Sequence, residues 1–316
     1  MKKTISRRSL IAGTAGLSCG ALLGPTSNGL AAESSAESAP SFRYCLNTST
    51  IRGHKLPIDQ QVELTAKAGY DGIEPWIRDI DAYREGGGSL SDLAKRISDL
   101  GLKVESAIGF ASWIVADDQQ RAKGLENMKR DMDTLRQIGG TRIAAPPAGA
   151  TRGEALNLFA AAERYHDLLE LGRQMEVTPQ LELWGFSKNV SRLGELIFIV
   201  VESGHEDACM LPDVYHIYKG GSDFTGLQCI NGKSMHALHV NDYPNMDRAN
   251  IQDKDRVYPG DGVAPLKAIF GYLSSAGFSG TLSLELFNPE YWKQDAMVVA
   301  KTGLEKMKKS VNEAYS

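Results

Sequence analysis

The chain is poor in the residues on which several familiar chemistries depend. It has six histidines and four cysteines among 316 residues. One cysteine, Cys19, falls in the N-terminal segment, and the other three, Cys45, Cys209 and Cys229, stand far apart. An odd number without close spacing excludes both a disulfide framework and a zinc knuckle. Cys45 and Cys209 lie in apolar runs predicted to be strands, where a buried thiol behaves as a small apolar residue. No apolar run approaches the roughly 20 residues that a membrane span needs. Positive charge is scarce as well, with 35 Lys and Arg against 39 Asp and Glu, a formal charge of −4. Residues 1–32 hold Lys2, Lys3, Arg7 and Arg8 and no acid, so the remainder carries −4 − 4 = −8. An acidic body argues against nucleic acid as a partner, because a phosphate backbone needs cations facing it. Internal repeats are absent.

What is present begins at the N-terminus. Ser6-Arg7-Arg8-Ser9-Leu10-Ile11 heads a weakly apolar stretch, rich in Gly and Ala, that runs to Leu23. Gly29-Leu30-Ala31-Ala32 then offers small residues suited to signal peptidase. Residues 1–32 therefore read as a twin-arginine signal peptide, with an ordinary Sec signal as the alternative. Cys19 does not make a lipoprotein, since Gly16 stands where a lipobox usually has Leu. Residues 33–41, rich in Ser, Ala and Glu, read as a disordered linker. The expected location is the periplasm or another extracytoplasmic space, with no stable membrane anchor in the mature form.

Beyond residue 41, short apolar runs alternate with amphipathic stretches. Strands are predicted at 42–47, 72–75, 103–108, 142–145, 177–183, 208–211, 235–240 and 281–286. Helical patterns fall at 58–68, 90–100, 119–138, 152–175, 190–202, 224–229, 265–276 and 295–314, with Gly69, Gly101, Gly139, Gly204 and Gly277 near their ends. Eight strand–helix units in a chain slightly longer than the roughly 250 residues typical of the fold point to an α/β protein, a (β/α)8 TIM barrel over residues 42–316. A doubly wound open sheet is the runner-up.

Four ligand-type residues stand at or just past the ends of late strands: Glu182, Asp213, His239 and Glu285. Leu181 and Leu183 flank Glu182, and Leu284 and Leu286 flank Glu285, so each glutamate points opposite to its apolar neighbours. Three carboxylates and an imidazole on one barrel rim would repel unless a divalent cation lay between them. Each residue alone has a plainer reading, a buried glutamate paired with an arginine or a histidine that only donates a hydrogen bond. His216, three residues after Asp213, reaches the same cavity from a turn. Asp242 leaves the seventh strand just after His239 and is a candidate partner to orient that ring. Glu74, Trp113 and Trp184 are candidates for substrate contact, as is Trp76; for each tryptophan, core packing is the competing explanation.

Several segments together resemble the xylose isomerase-like TIM barrels, the sugar isomerase and epimerase superfamily, and within it the inosose isomerases, which interconvert keto-inositols. The segments are DVYHIYKGG at 213–221, HVND at 239–242, RVYPGDG at 256–262 and SLELFNPEY at 283–291, supported more weakly by CLN at 45–47 and GYDGIE at 69–74. The resemblance implies that Glu182, Asp213, His239 and Glu285 hold one metal ion and that His216 and Arg256 face the substrate. Pro212, before the aspartate, departs from the pattern, and export is unexpected for inositol breakdown.

The implied chemistry is proton transfer beside a carbonyl through a metal-stabilised enediolate, with Glu182 and Glu285 as base and acid. Mn²⁺ fits three oxygen donors and one nitrogen best, with Co²⁺, Zn²⁺ or Mg²⁺ as alternatives. The expected partner is a small sugar or keto-polyol; a homo-oligomer is left open. Two other readings stand beside this one. A lyase or hydrolase on 3-keto-glycosides would use the same site, and a non-catalytic sugar-binding barrel would merely retain it. A DNA-repair barrel of the endonuclease IV type needs more histidines and a basic face.

Overall fold

A computed structural model describes residues 42–316; the export signal and linker expected at 1–32 and 33–41 lie outside the described residues. Eight parallel strands follow in chain order: β1 (Arg43–Asn47), β2 (Gly72–Glu74), β3 (Lys103–Val104), β4 (Arg142–Ala145), β5 (Thr178–Glu182), β6 (Met210–Leu211), β7 (Ala237–Val240) and β8 (Thr281–Leu284). Regular pairing runs β3-β2-β1-β8-β7 and β4-β5-β6. Two seams close the ring. Ala107 C=O accepts from Ala144 N–H at 2.9 Å between β3 and β4, and parallel bridges join Met210 to Met235 and Asp213 to His239 between β6 and β7. The result is the eight-stranded barrel predicted above, and the open sheet is excluded.

Around the barrel lie α1 (Ile58–Ala68), α2 (Ile77–Glu85), α3 (Leu90–Asp99), α4 (Asp118–Gln137), α5 (Leu158–Met175), α6 (Leu193–Glu202), α7 (Val214–Gly220), α8 (Leu266–Ser275) and α9 (Ala296–Ala314). Helix α1 shows why such segments fold: Ile58, Val62, Thr65 and Ala68 recur at helical spacing and are buried, and Gly69 ends the helix at φ 94°, where a side chain would be strained. Side-chain caps start others, Ser89 on α3, Asp117 on α4 and Asn157 on α5.

Three expectations need correction. Helix α2 was not anticipated, because only Ile77 and Ile80 of its nine residues are buried and its apolar stripe is too thin to read. The helix expected from residue 152 starts at Leu158, after a loop. Residues 224–229 form a 3-10 turn, and the α-helix in this connection is α7.

Strand alternation divides two cores. On β7, Leu238 and Val240 join the large cluster between barrel and helices, whereas Ala237 joins Trp76, Ile108, Ala144 and Leu211 inside. At the N-terminal end of the strands the interior is polar. Arg43 Nε and Nη2 donate to the two oxygens of Glu105 at 2.7 and 3.1 Å, and Thr281 Oγ1 donates to Glu105 at 3.0 Å. Gly72 makes room for this pair, since a Cβ there would come within 2.5 Å of Glu105 Cγ.

Candidate active site

The same alternation sends Glu182, His239 and Glu285 inward at the C-terminal mouth, while Leu181, Leu183, Leu284 and Leu286 pack outward in the large cluster. This is the end of a β/α barrel where functional groups collect. Asp213 follows β6 and caps α7, its Oδ1 accepting the His216 N–H at 2.8 Å. His216 is therefore on a helix rather than a turn.

His239 stands at the centre. Its Nδ1 lies 3.3 Å from Glu285 Oε2, 3.7 Å from Asp213 Oδ2 and 3.8 Å from Glu182 Oε1. Donor atoms of Asp213, His239 and Glu285 all fall within 4.8 Å of one another, as a metal site requires. Among the described residues, His239 Nδ1 and Glu182 Oε2 are buried without a hydrogen-bond partner. Such orphaned groups are costly unless something else satisfies them. Burial first, and then the neighbouring Glu285 and Asp213 carboxylates, push Glu182 up to about 8 despite the opposing pull of His239. Burial alone would lower the His239 pKa, but the carboxylates of Glu285 and Glu74 outweigh it and raise it. Two carboxylates and an imidazole nitrogen, from Asp213, Glu285 and His239, form a donor set that fits one divalent cation, and Glu182 stands beside it, 3.8 Å from His239 Nδ1.

Arg256 is the other organising group. Its Nη1 donates to Asp213 Oδ2 and Glu285 Oε2, each at 2.8 Å, and its Nη2 donates to Asp253 at 2.6 Å. Burial opposes its charge, but Asp213, Asp253 and Glu285 together raise its pKa, so it stays protonated. Nη2 also lies 3.1 Å from His216 Nε2. Burial chiefly, with Arg256 adding to it, lowers His216 to about 4. The ring is thus neutral at pH 7, and because Nε2 accepts from Arg256, its proton belongs on Nδ1.

Above these groups opens a cavity of about 280 Å³, lined by Glu182, Glu285, His216 and Arg256. Trp184 lines it as expected, and so does Trp76. Phe110, Phe186, Phe287, Arg52 and Asp253 line it too. None of these five was singled out in the sequence, although Phe287 lies in the 283–291 segment, because isolated aromatics and charges in loops have no periodicity to read.

Three candidates take other places. Trp113 is fully buried, donates its indole N–H to Pro146 O at 2.9 Å and packs on Tyr165, so it belongs to the core and not to the cavity. Asp242 does not orient His239; its carboxylate accepts backbone N–H groups of Tyr243, Gly260, Gly262 and Ala264 and shapes the loop after β7. Glu74 does not line the cavity. Its Oε2 meets His239 Nε2 at 3.0 Å and accepts from Ser283 at 2.6 Å and Asn47 at 2.9 Å, so the orienting role expected of Asp242 falls to it.

A family model described as the xylose isomerase-like TIM barrel matches residues 62–310. The chain belongs to the xylose isomerase-like TIM barrel family. Curated relatives include the inosose isomerase of Bacillus velezensis, 28% identical over 84% of this chain and 95% of that protein. The L-ribulose 3-epimerase of Mesorhizobium japonicum is 26% identical over 74% of this chain and 76% of its own. The 3-dehydroshikimate dehydratase of Pseudomonas aeruginosa is 24% identical over 73% of this chain and 36% of that longer protein. Among solved structures, the IolI protein with a bound zinc atom superposes with a TM-score of 0.80 at 25% identity, covering 87% of this chain and all of the other.

Proposed function

We propose that this xylose isomerase-like barrel is an exported, divalent-metal-dependent isomerase or epimerase of sugars or keto-polyols. The observation that carries the reading is the convergence of Glu182, Asp213 and Glu285 on His239 Nδ1 beneath the cavity. The inosose isomerase and L-ribulose 3-epimerase relatives support it, since both names describe moving a carbonyl or inverting a carbon beside one. Glu182, Asp213, His239 and Glu285 would hold the metal, for which Mn²⁺ suits the donor set and the zinc of the IolI structure is the precedent. Bound there, the cation supplies positive charge that stabilises the enediolate formed on proton removal.

The remaining work falls to the chain's own side chains. Glu182 and Glu285 take and return the proton beside the carbonyl. Arg256 presents fixed positive charge to substrate oxygens, and His216 offers its Nδ1–H. Glu74 holds the His239 ring so that Nδ1 faces the carboxylates.

A second reading is favoured by the dehydratase relative. If the carbon next to the deprotonated one carries a hydroxyl or alkoxyl group, the electron pair expels it, a proton from the second glutamate completes water or alcohol, and a double bond is left. Product analysis tests both. Metal-loaded protein incubated with keto-inositols, ketohexoses and 3-keto-glycosides should give isomers of unchanged mass. Loss of water or an alcohol would select the eliminating reaction, and no conversion of any of them would refute both.

A further inference from the structure

The walls of the cavity carry more apolar surface than a small polyol uses. Five aromatic rings form an unbroken arc: Phe287 lies 6.2 Å from Trp76, Trp76 5.1 Å from Phe110, Phe110 5.9 Å from Trp184, and Trp184 stacks on Phe186 at 5.2 Å. The arc is continuous with the reacting groups, since Phe186 sits 5.6 Å from the His216 ring and Phe287 packs under the Arg256 guanidinium at 5.0 Å. Exposure differs from ring to ring. Trp76 is 6% exposed, whereas Phe110 and Phe186 at the mouth are 46% and 47% exposed. Trp76 is clamped by two guanidinium groups, Arg52 at 4.9 Å and Arg78 at 4.4 Å, so the inner part of the arc is held in place.

Phe110, Trp184 and Phe186 line the cavity of about 280 Å³ together with the reacting groups, and a keto-hexose or keto-inositol held against Glu182 and Glu285 would occupy the floor of it. Such a ligand leaves the two outer phenylalanines in water. Adjacent half-exposed aromatics beside a catalytic cavity mark surface that a ligand covers.

We infer that Phe110, Trp184 and Phe186 form an outer subsite for a second ring joined to the reacting sugar, so that the substrate is a glycoside with an uncharged ring aglycone rather than a free monosaccharide. This rests on the reading of the inner cavity as a keto-sugar site. The aglycone stacks a face on Trp184 and Phe186, as sugar C–H faces and aryl rings both do, while the glycone reaches Glu182 and Glu285. The guanidinium groups of Arg52, Arg78 and Arg256 lie against Trp76 and Phe287 at the inner end of the arc, and among the described residues Phe110, Trp184 and Phe186 have no such cation on their faces, so an uncharged ring suits them.

Binding to the metal-loaded protein, followed by tryptophan fluorescence, tests the subsite with glucose, cellobiose and phenyl β-D-glucopyranoside. None of the three carries a ketone, and glucose and cellobiose hold their aldehyde almost wholly as the hemiacetal; product analysis of each mixture identifies any turnover, so binding is read apart from proton exchange. Each glycoside should bind at least about tenfold more tightly than glucose, the gain expected of two ring contacts. In Phe110→Ala and Phe186→Ala that preference should shrink to about threefold or less, with the thermal midpoint showing that both variants fold. A stronger preference for cellobiose identifies a sugar aglycone, and one for the phenyl glucoside an aryl aglycone. Equal affinity for all three, no saturable glycoside binding, or a dimer that Phe110→Ala dissociates in light scattering would overturn the inference.

Discussion

Glu74 Oε2 lies 3.0 Å from His239 Nε2, and both groups are almost fully buried. Burial works against the Glu74 charge, but His239, Ser283 and Asn47 outweigh it and hold the pKa below the ordinary carboxylate range. Glu74 therefore accepts from Nε2–H and leaves Nδ1 free to act as a ligand. Glu74→Gln keeps the size and removes the charge, so metal affinity should fall by about 10- to 100-fold, read by calorimetric titration of the metal-free protein. Unchanged affinity would show that His239 does not depend on Glu74.

Direct removal of a ligand should do more. Asp213→Ala and His239→Ala should each lose most of about one equivalent of divalent metal, measured by elemental analysis. Chelation should also lower the thermal midpoint of the native protein, because the cation stabilises only the folded state. Full metal content in both variants would refute this ligand set.

A pH effect is expected away from the site. Asp131 on α4 is buried, its ion pair among the described residues being with Arg130 at 3.5 Å, and burial pushes its carboxyl up to about 6. The folded state then binds this proton more tightly than the unfolded chain, whose carboxyl titrates near 3.9. The group thus costs stability above about pH 6, and the cost is relieved as pH falls toward 4. Asp131→Asn should add about 1–2 kcal/mol at pH 7 in urea unfolding and almost nothing near pH 4. An equal effect at both pH values would contradict the shift.

The parts of this protein legible in its sequence are those with a period. Eight apolar runs announced the barrel, and the Leu-Glu-Leu alternation at Glu182 and Glu285 announced two inward carboxylates. Side chains whose role depends on tertiary neighbours were not legible. Glu74 holds the place expected of Asp242 because proximity in sequence to His239 is not proximity in space: β1, β2 and β8 are barrel neighbours, so Asn47, Glu74 and Ser283 meet. Trp113 stands close to a strand end, yet its indole turns toward α5 and Tyr165.

Export, which rests on the N-terminal pattern alone, has its own test. Twin-arginine transport carries folded proteins, so it would permit metal loading in the cytoplasm before release. Replacing Arg7 and Arg8 together by lysine should trap an intact precursor inside the cell, seen by fractionation and immunoblotting. Normal accumulation outside the cytoplasm would assign the protein to the Sec route.

Proton transfer between substrate carbons by Glu182 and Glu285 is the central claim, and solvent isotope exchange examines it most directly. Metal-loaded protein in D₂O, given keto-inositols, ketohexoses and 3-keto-glycosides, should place deuterium on the carbon beside the carbonyl of at least one of them, by NMR or mass spectrometry. Glu182→Gln and Glu285→Gln, compared at equal metal occupancy, should each slow that exchange by about 10²- to 10⁴-fold. No exchange across the panel with the metal site full, or exchange that both variants leave unchanged, would contradict the account.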